Sequence, residues 1–284
     1  MRSERSLLRG RQLEQMRASC QLAARTLVMV GEHLKAGMTT QQIDELVHAY
    51  MVEHEAWPAT LGYGGSRGMT PFPKSCCTSV NDCVCHGIPD ANTVLKDGDI
   101  VNVDVTCILP KKHGFFGDTS VTFYVGEVSE DAKKVVETAR QSLEIGIAQV
   151  RHDARLWDIG AAIQEFAEGR GCSVVRDYVG HGVGLKFHMA PQVPHYRPSK
   201  QGVFGDMKNI RLKEGMVFTI EPMINLGTYE CEVLDDEWTV LTLDRQLSAQ
   251  FEHTMVVTRD GVEVLTARPE LVKGCEDVSW AELG

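Results

Sequence analysis

Apolar residues recur with helical spacing over the first part of the chain. From Leu13 to Val30 they fall three or four positions apart, which predicts a helix that Gly31 could end. Thr39 or Thr40 can cap a second helix. The apolar face of that helix comprises Ile43, Leu46, Val47, Tyr50 and Met51. The pair Trp57-Pro58 predicts its end, because a residue before proline avoids helical backbone angles.

From residue 100 apolar and polar positions alternate with a period of two, in place of the helical spacing. The segment Ile100–Leu109 is rich in β-branched residues and predicts a strand. Its alternating positions form one apolar face of Val101, Val103 and Val105, and one polar face of Asn102, Asp104 and Thr106. The chain is predicted to reverse over Pro110–Gly117 and to return as a second strand over Asp118–Val125.

The same order of elements then occurs again. Helical spacing covers residues 131–150 and 156–168, and strand-like segments follow at Met216–Pro222, Trp238–Leu243 and Glu252–Thr258. The two halves share no sequence identity that we detect, so the order suggests a duplication without establishing one. It predicts an α/β protein, of the α+β kind, with two similar lobes and the acids between them.

Composition, charge and hydropathy indicate an ordinary globular protein and argue against several other classes. The chain has 284 residues, of which 43% are hydrophobic and 24% charged, as in an ordinary globular protein. A net charge of −10 argues against nucleic acid as the main partner. No apolar run is long enough to span a membrane, and the arginine-rich N-terminus lacks the apolar stretch of a secretory signal.

The cysteines favour a reducing compartment. There are nine, an odd number, in a chain large enough to fold without disulfides. Cys76-Cys77 and Cys83-x-Cys85 lack the spacing of a zinc site, so we interpret them as small buried apolar residues. We therefore expect free thiols and a cytoplasmic location.

One histidine and four acids are the candidate metal ligands. They lie in the strings VNVDVT, FFGDTS, GHGVG, FTIEPM and QFEHT, as Asp104, Asp118, His181, Glu221 and Glu252. Carboxylates and imidazole suit manganese, iron, cobalt or zinc better than copper or an iron–sulfur cluster. Four acidic charges match two divalent ions, and without metal they would repel one another. Taken singly, each residue is more often a surface, turn or structural polar group; their joint occurrence favours a dinuclear site.

Neighbouring residues are consistent with such a site. Gly180, Gly182 and Gly184 flank His181 and permit a tight backbone path close to a ligand. Thr106 and Thr219 stand two positions from Asp104 and Glu221 and could hydrogen-bond the ligands.

Seven strings in order carry a family resemblance. CHGIPD, VNVDVT, GDTS, GHGVG, FHMAPQVPHY, TIEP and SAQFEHT together resemble the type I methionine aminopeptidases from about residue 13 to 268. The resemblance implies the pita-bread fold, two pseudo-symmetric halves around a dinuclear metal site. It implies a single catalytic metallopeptidase domain at 13–268, with pseudo-repeats at about 13–126 and 131–258. Residues 1–12 would be a short N-terminal extension and 269–284 a C-terminal tail.

The resemblance also assigns the ligands. Asp104 would bind one divalent ion through both oxygens, Asp118 and Glu252 would bridge the pair, and His181 and Glu221 would complete the other. The ions would be drawn from cobalt, manganese, iron, zinc and nickel. They would activate a water molecule for attack on the first peptide carbonyl.

Catalytic and pocket residues follow from the same resemblance. Glu221 would shuttle the proton to the leaving amine, His188 would steady the oxyanion, and His86 would contact the substrate near the scissile amide. The methionine pocket would be lined by Thr60, Tyr63, Phe72, Cys77, Phe187 and Trp238, besides His86 and His188. A monovalent cation would bind at the backbone of Asn81, Cys83 and Ser248.

Three departures from the family concern the pocket and not the ligands. Thr60 stands where many bacterial relatives have cysteine, and Phe72 where many have tyrosine. Gly64–Pro71 carries roughly six residues more than the usual compact turn, a length difference typical of surface loops. We therefore expect the pocket size and entrance to differ from those of the relatives.

Two alternatives remain open at this point. An Xaa-Pro aminopeptidase or prolidase of the same fold uses a similar ligand set, but such enzymes usually carry a large extra N-terminal domain, and only about 100 residues precede Asp104. A non-catalytic binding protein on this fold would have lost ligands, whereas all five are present. The resemblance predicts removal of N-terminal methionine from nascent polypeptides whose second residue is small. It also predicts a monomer with transient ribosome contact, and neither nucleic acid as substrate nor a membrane.

Overall fold

Four helices lie in the part of the chain that the computed structural model describes, residues 7–65, 70–198 and 207–268. They are α1 (Gly10–His33), α2 (Thr40–Glu53), α3 (Glu130–Ile147) and α4 (Leu156–Gly169). Much of the predicted N-terminal extension, the 269–284 tail and the middle of the 64–71 segment lie outside the described residues. The domain boundaries at 13 and 268 therefore stay predictions.

The first two helices agree with the predicted spacing except at one end. Thr39 caps α2 by accepting a hydrogen bond from the Gln42 amide at 3.2 Å, and Gln42 accepts one from the Thr39 amide at 2.9 Å. The prediction that Gly31 ends the first helix is wrong, because α1 continues to His33. A glycine inside a helix costs only about 1 kcal/mol, so it need not end the helix.

The first half contains five strands in the described chain. They are β1 (Trp57–Pro58), β2 (Cys77–Val80), β3 (Cys83–Cys85), β4 (Ile100–Leu109) and β5 (Phe115–Tyr124). The predicted bounds of β4 are confirmed, whereas β5 begins at Phe115 and not at Asp118. The turn is tighter than predicted because Gly114 lies so close to the preceding backbone that a Cβ atom would be 2.2 Å from the Pro110 carbonyl oxygen.

The second half contains ten further described strands. They are β6 (Ser173–Val174), β7 (Gly180–Gly182), β8 (Met189–Val193), β9 (Val217–Ile220), β10 (Met223–Asn225), β11 (Cys231–Val233), β12 (Val240–Thr242), β13 (Ser248–Gln250), β14 (His253–Val257) and β15 (Val262–Val264). The three predicted segments correspond to β9, β12 and β14. Each observed strand is shorter than its prediction and leaves Glu221, Trp238 or Glu252 just outside it.

The described strands form four antiparallel sheets. In one sheet β4 pairs with β5 along its whole length and with β1 and β2 on its other edge. The largest sheet has the order β15-β14-β9-β7-β8, and two three-stranded sheets have the orders β13-β10-β6 and β11-β12-β3. Because β3 of the first half pairs with β12 of the second, the two halves share hydrogen-bonded structure.

A direct contact joins the halves where the acids lie. Ser120 and Glu252 form an isolated antiparallel bridge, and the Glu252 amide donates to the Ser120 carbonyl at 3.1 Å. The Asn102 side chain donates to the Gln250 carbonyl at 2.8 Å. One hydrophobic cluster contains residues of all four helices and of both halves, so the core is continuous. Of the described helices, none has the length and apolarity needed to cross a bilayer.

The prediction for the paired cysteines is confirmed. Cys76, Cys77, Cys83 and Cys85 are buried free thiols. Burial raises the pKa of the Cys83 thiol to about 11, so it stays protonated and inert near neutral pH.

Candidate active site

The five candidate ligands come from five separate chain segments and converge on one cavity. Asp104 lies on β4, Asp118 on the neighbouring β5 and His181 on β7. Glu221 follows the end of β9, and Glu252 lies between β13 and β14. All five line a cavity of about 180 Å³. Strand pairing accounts for the convergence, since β4 pairs with β5 and β9 pairs with both β7 and β14.

The spacing of the ligand atoms suits a metal ion. The Nε2 atom of His181 lies 3.5 Å from Asp118 Oδ2 and 3.6 Å from Glu221 Oε1. These separations are too long for good hydrogen bonds, but they are about the distance between two donors bound to one ion at about 2.1 Å. One ligand atom each from Asp118, His181 and Glu252 lies within 4.8 Å of the other two. The three side chains can therefore share an ion.

An unsatisfied carboxylate oxygen supports the same conclusion. Within the described chain, Oδ1 of Asp104 is buried and has no hydrogen-bond partner. A buried carboxylate oxygen without a donor is costly, so native structures normally provide a partner. The neighbouring groups are three more carboxylates and an imidazole, which leaves a cation as the fitting partner. The donor set of oxygens and one nitrogen fits divalent manganese, iron, cobalt, nickel or zinc.

Burial and mutual repulsion oppose ionisation of the acids in the metal-free protein. Burial raises the pKa of Asp104 to about 7. Burial, together with the charge of the neighbouring acids, raises the pKa of Asp118, Glu221 and Glu252 well above their ordinary values. Burial also lowers the pKa of His181 to about 4, so the ring is neutral and able to bind a metal near neutral pH.

Metal removal should therefore destabilise the protein most at alkaline pH. Between about pH 4 and about pH 7 the folded metal-free protein keeps a proton on Asp104 that the unfolded chain releases. That contribution to stability is lost as the pH rises through about 7, whereas bound cations would compensate the ionised acids. We expect the difference in Tm between Mn²⁺-loaded and EDTA-treated protein, measured by calorimetry, to be larger at about pH 8 than at about pH 5.5. Equal differences would contradict this account.

Two threonines hydrogen-bond the candidate ligands, as predicted. Thr219 donates to Glu221 Oε1 at 2.6 Å and accepts the His181 amide at 3.0 Å, so one hydroxyl orients two ligands. Thr106 donates at 2.6 Å to Asp118 and not to Asp104. The reason is the sheet register, which sets Thr106 directly opposite Asp118 on the adjacent strand.

Replacing Thr219 by valine should weaken metal binding without unfolding the protein. The variant keeps the shape of the side chain but loses contacts to two ligands. Losing a contact of this kind typically costs about 10- to 100-fold in metal affinity. Calorimetric titration of the EDTA-treated protein with Mn²⁺ measures the change. Thr26→Val, a buried threonine on α1, is the matched control and should bind as the wild type does.

Two of the glycines beside His181 permit the tight backbone path that the sequence predicts. A Cβ on Gly180 would lie 2.5 Å from the Thr219 carbonyl oxygen, and one on Gly182 would lie 2.2 Å from that of Ala190. Both glycines therefore permit close approach between β7 and its neighbouring backbone.

Two further residues contact Glu221 and were not predicted. Nε2 of buried His195 accepts the Glu221 amide at 3.1 Å. The Gln250 side chain donates to the Glu221 carbonyl at 3.3 Å and to its Oε2 at 3.4 Å. Both lie inside the motif strings, in FHMAPQVPHY and SAQFEHT, which was the available signal. These contacts divert the Glu221 backbone and side chain from regular strand pairing, which explains why β9 ends before it.

Every predicted pocket residue lines the same cavity as the ligands. These are Thr60, Tyr63, Phe72, Cys77, Phe187, Trp238, His86 and His188. Phe72, Cys77 and Trp238 form a small buried cluster of their own, against which Tyr63 and Ile88 pack. One side of the cavity is therefore ionic and the other is apolar.

Both candidate catalytic histidines pack against aromatic rings of the cavity lining, His188 against Phe187 and His86 against Trp238. The His188 ring lies 4.2 Å from the His181 ring and 4.3 Å from Phe187, and its Nδ1 is 2.7 Å from the Tyr63 hydroxyl. His86 has a left-handed backbone (φ 56°), and its ring packs edge-on against Tyr178 at 5.4 Å. Burial lowers the pKa of His86 to about 4, so its ring is neutral near pH 7.

The residues predicted to hold a monovalent cation lie away from the cavity lining. The Ser248 amide donates to the Asn81 carbonyl at 2.9 Å, so these two segments are adjacent. Cys83 begins β3, two residues after Asn81. Cation binding at this junction stays a prediction.

Comparison with known proteins identifies the family. The model of metallopeptidase family M24 matches residues 14–259. The chain is 50% identical over 260 residues to methionine aminopeptidase B of Synechocystis, covering 92% of this chain and 91% of that protein. It is 49% identical over 262 residues to methionine aminopeptidase of Haemophilus influenzae, covering 92% of each.

Solved structures agree with the sequence relatives. Methionine aminopeptidase from Rickettsia prowazekii superposes with a TM-score of 0.84 at 44% identity and covers 93% of this chain and 100% of its own. The prolidase from Pyrococcus horikoshii, at 18% identity and a TM-score of 0.69, shares the fold, and this chain covers 65% of it. The fold is the pita-bread fold of these peptidases, as the resemblance implied. The chain therefore belongs to the M24 metallopeptidases and, within them, to the bacterial-like type I methionine aminopeptidases.

Proposed function

We propose that this protein is a metal-dependent aminopeptidase that removes the N-terminal methionine of nascent polypeptides when their second residue is small. One observation supports the proposal most directly. Five potential ligands and an apolar wall line one cavity, in a chain half identical to methionine aminopeptidases over nearly its whole length. The ligands would bind the metal ions needed for hydrolysis, and the apolar wall would select an apolar side chain.

The apolar wall suits an unbranched, apolar first residue. Tyr63 and Phe187 pack edge-on with ring centres 5.0 Å apart, and Phe72 packs edge-on against Trp238 at 5.3 Å. Rings in such contact give a shaped slot, and each methylene that fits or fails to fit changes binding by about 1–3 kcal/mol. Selectivity for methionine would therefore come from shape on several sides.

Each polar residue has a role that suits its position. A pair of divalent ions bound by the five ligands would polarise the scissile carbonyl and activate a water molecule. Glu221, oriented by Thr219 and Gln250, is suited to carry a proton to the leaving amine. A Tyr63 hydroxyl that donates to His188 Nδ1 leaves the ring hydrogen on Nε2, where it can stabilise an oxyanion. Neutral His86 can donate to the substrate amide.

The alternatives receive less support. The prolidase of similar fold is 18% identical, and the chain spans about two thirds of it, whereas it spans nearly all of the methionine aminopeptidases. A binding protein without catalysis would not need five converging ligands. Transient ribosome contact and a monomeric state stay predictions.

A metal-reconstitution series tests the proposal. EDTA-treated protein is supplied with Mn²⁺, Fe²⁺, Co²⁺, Ni²⁺ or Zn²⁺ in turn and assayed with Met-initiated peptides varied at the second position. We expect release of methionine from Met-Gly and Met-Ala peptides, and little from peptides with a bulky second residue. Hydrolysis of Xaa-Pro peptides alone would favour the prolidase reading. No turnover with any ion would favour a binding protein.

A further inference from the structure

The turn that carries Trp238 is built by a neighbouring carboxylate. Residues 234–239 join β11 to β12, and Asp236 Oδ1 accepts the amides of Trp238 at 2.8 Å and Thr239 at 2.7 Å. Its Oδ2 accepts the Thr239 hydroxyl at 2.6 Å. Glu237 takes a left-handed backbone conformation with φ of 66°. The backbone of this turn is therefore held from within.

The same turn is also tied to a distant segment at two points. The Trp238 indole donates from Nε1 to the Thr70 carbonyl at 2.9 Å, and the Thr70 hydroxyl donates to the Glu237 carboxylate. Thr70 lies 168 positions from Trp238 in sequence, so neither contact is local. We call this pair of contacts the Thr70–Glu237 latch.

Thr70 belongs to a loop that supplies two other walls of the pocket. The Phe72 amide donates to the Tyr63 carbonyl at 2.9 Å, and the Gly62 amide donates to the Phe72 carbonyl at 2.8 Å. These bonds close the base of the loop. Tyr63, Phe72 and Trp238 all line the cavity, and Phe72 packs edge-on against Trp238 at 5.3 Å, so the loop and the turn meet at the apolar wall.

We infer that Thr70 and Glu237 are positioning residues that set the place of the Trp238 wall and thereby determine which N-terminal side chains the pocket accepts. The inference rests on the proposed function, because it concerns the substrate selectivity of that cavity. Neither residue lines the cavity. They act through Trp238, which is 8% exposed and packs against Phe72 and His86. The Thr70–Glu237 bond is exposed, where water competes, so its effect should be modest.

Thr70→Val tests the latch, with Thr70→Ser as the conservative variant that keeps the hydroxyl. The assay compares kcat/KM for a Met-Ala peptide with that for a Leu-Ala peptide. We expect Thr70→Val to lower the preference for methionine about three- to tenfold, mainly through KM, because the change loosens binding and not the chemical step. Thr70→Ser should restore the preference. Asp235→Asn, on the same turn, is the matched control and should behave as the wild type does.

A second measurement does not depend on turnover. The indole N–H resonance of Trp238, assigned by its absence in Trp238→Phe, should shift and exchange faster with solvent in Thr70→Val, and return in Thr70→Ser. An unchanged resonance with unchanged selectivity overturns the inference even if the enzyme releases methionine normally. A wild type that releases no methionine counts against the proposed function, while the resonance still decides whether the latch holds Trp238.

Discussion

Replacing Asp118 by asparagine should lower kcat/KM for a Met-Ala peptide about a thousandfold or more. Asp118 is 3% exposed, lies 3.5 Å from the His181 nitrogen and is the acid that Thr106 orients. Asparagine has the same shape as aspartate, but it offers a metal ion only a weak, neutral oxygen ligand. The negative charge that the proposed site needs to neutralise two cations is lost. Losing about 4 kcal/mol of transition-state stabilisation corresponds to about a thousandfold in rate.

Metal content should change together with activity. Elemental analysis of Asp118→Asn after dialysis against Mn²⁺ should give fewer ions per chain than the wild type. Asp260→Asn, at an exposed turn beyond β14, is the matched control and should keep full activity and metal content. A variant of Asp118 that binds two ions and keeps more than about a tenth of the wild-type rate would contradict the assignment.

The Tm of the metal-free variant distinguishes loss of a metal ligand from loss of the folded structure. In the metal-free protein, burial and the charge of Asp104 raise the pKa of Asp118, so ionising it opposes folding at high pH. Asparagine removes that penalty. We therefore expect EDTA-treated Asp118→Asn to have a Tm equal to or above that of EDTA-treated wild type at about pH 8. A large fall in Tm would mean that the side chain serves the fold.

Replacing His188 by alanine should lower kcat about 100- to 1000-fold, the usual cost of removing one donor to an oxyanion. The ring is positioned on three sides, by Tyr63, Phe187 and His181. The proposed donor would act more strongly on the transition state than on the substrate. We therefore expect the loss in kcat and only a small change in KM.

Unlike Asp118→Asn, this variant should retain its metal. Equal metal content in His188→Ala and the wild type, beside the loss of kcat, would assign the residue to chemistry and not to ion binding. His33→Ala, at the exposed end of α1, is the control and should have wild-type kinetics. A kcat of His188→Ala within about threefold of the wild type would exclude the oxyanion role.

The hydrophobic pattern predicted the ligand-bearing strands most accurately where its period was strong. The alternation in Ile100–Leu109 matched β4 at both ends and set Asp104 on the polar face opposite Val103 and Val105. Short strands such as β7 and β10 were missed because three residues show no period. The predicted ends of β9 near Glu221 and of β14 near Glu252 were wrong because those residues make hydrogen bonds outside regular strand pairing.

By itself the sequence determined the kinds of side chain available for chemistry, their order along the chain and, through the family resemblance, the residues that line one cavity. Only the tertiary structure decided which of them touch. Sheet register sets Thr106 against Asp118, β3 pairs with β12 across the two halves, and Thr70 holds the turn of Trp238. Such contacts join residues far apart in sequence, and local spacing carries no information about them because chain folding alone brings those positions together.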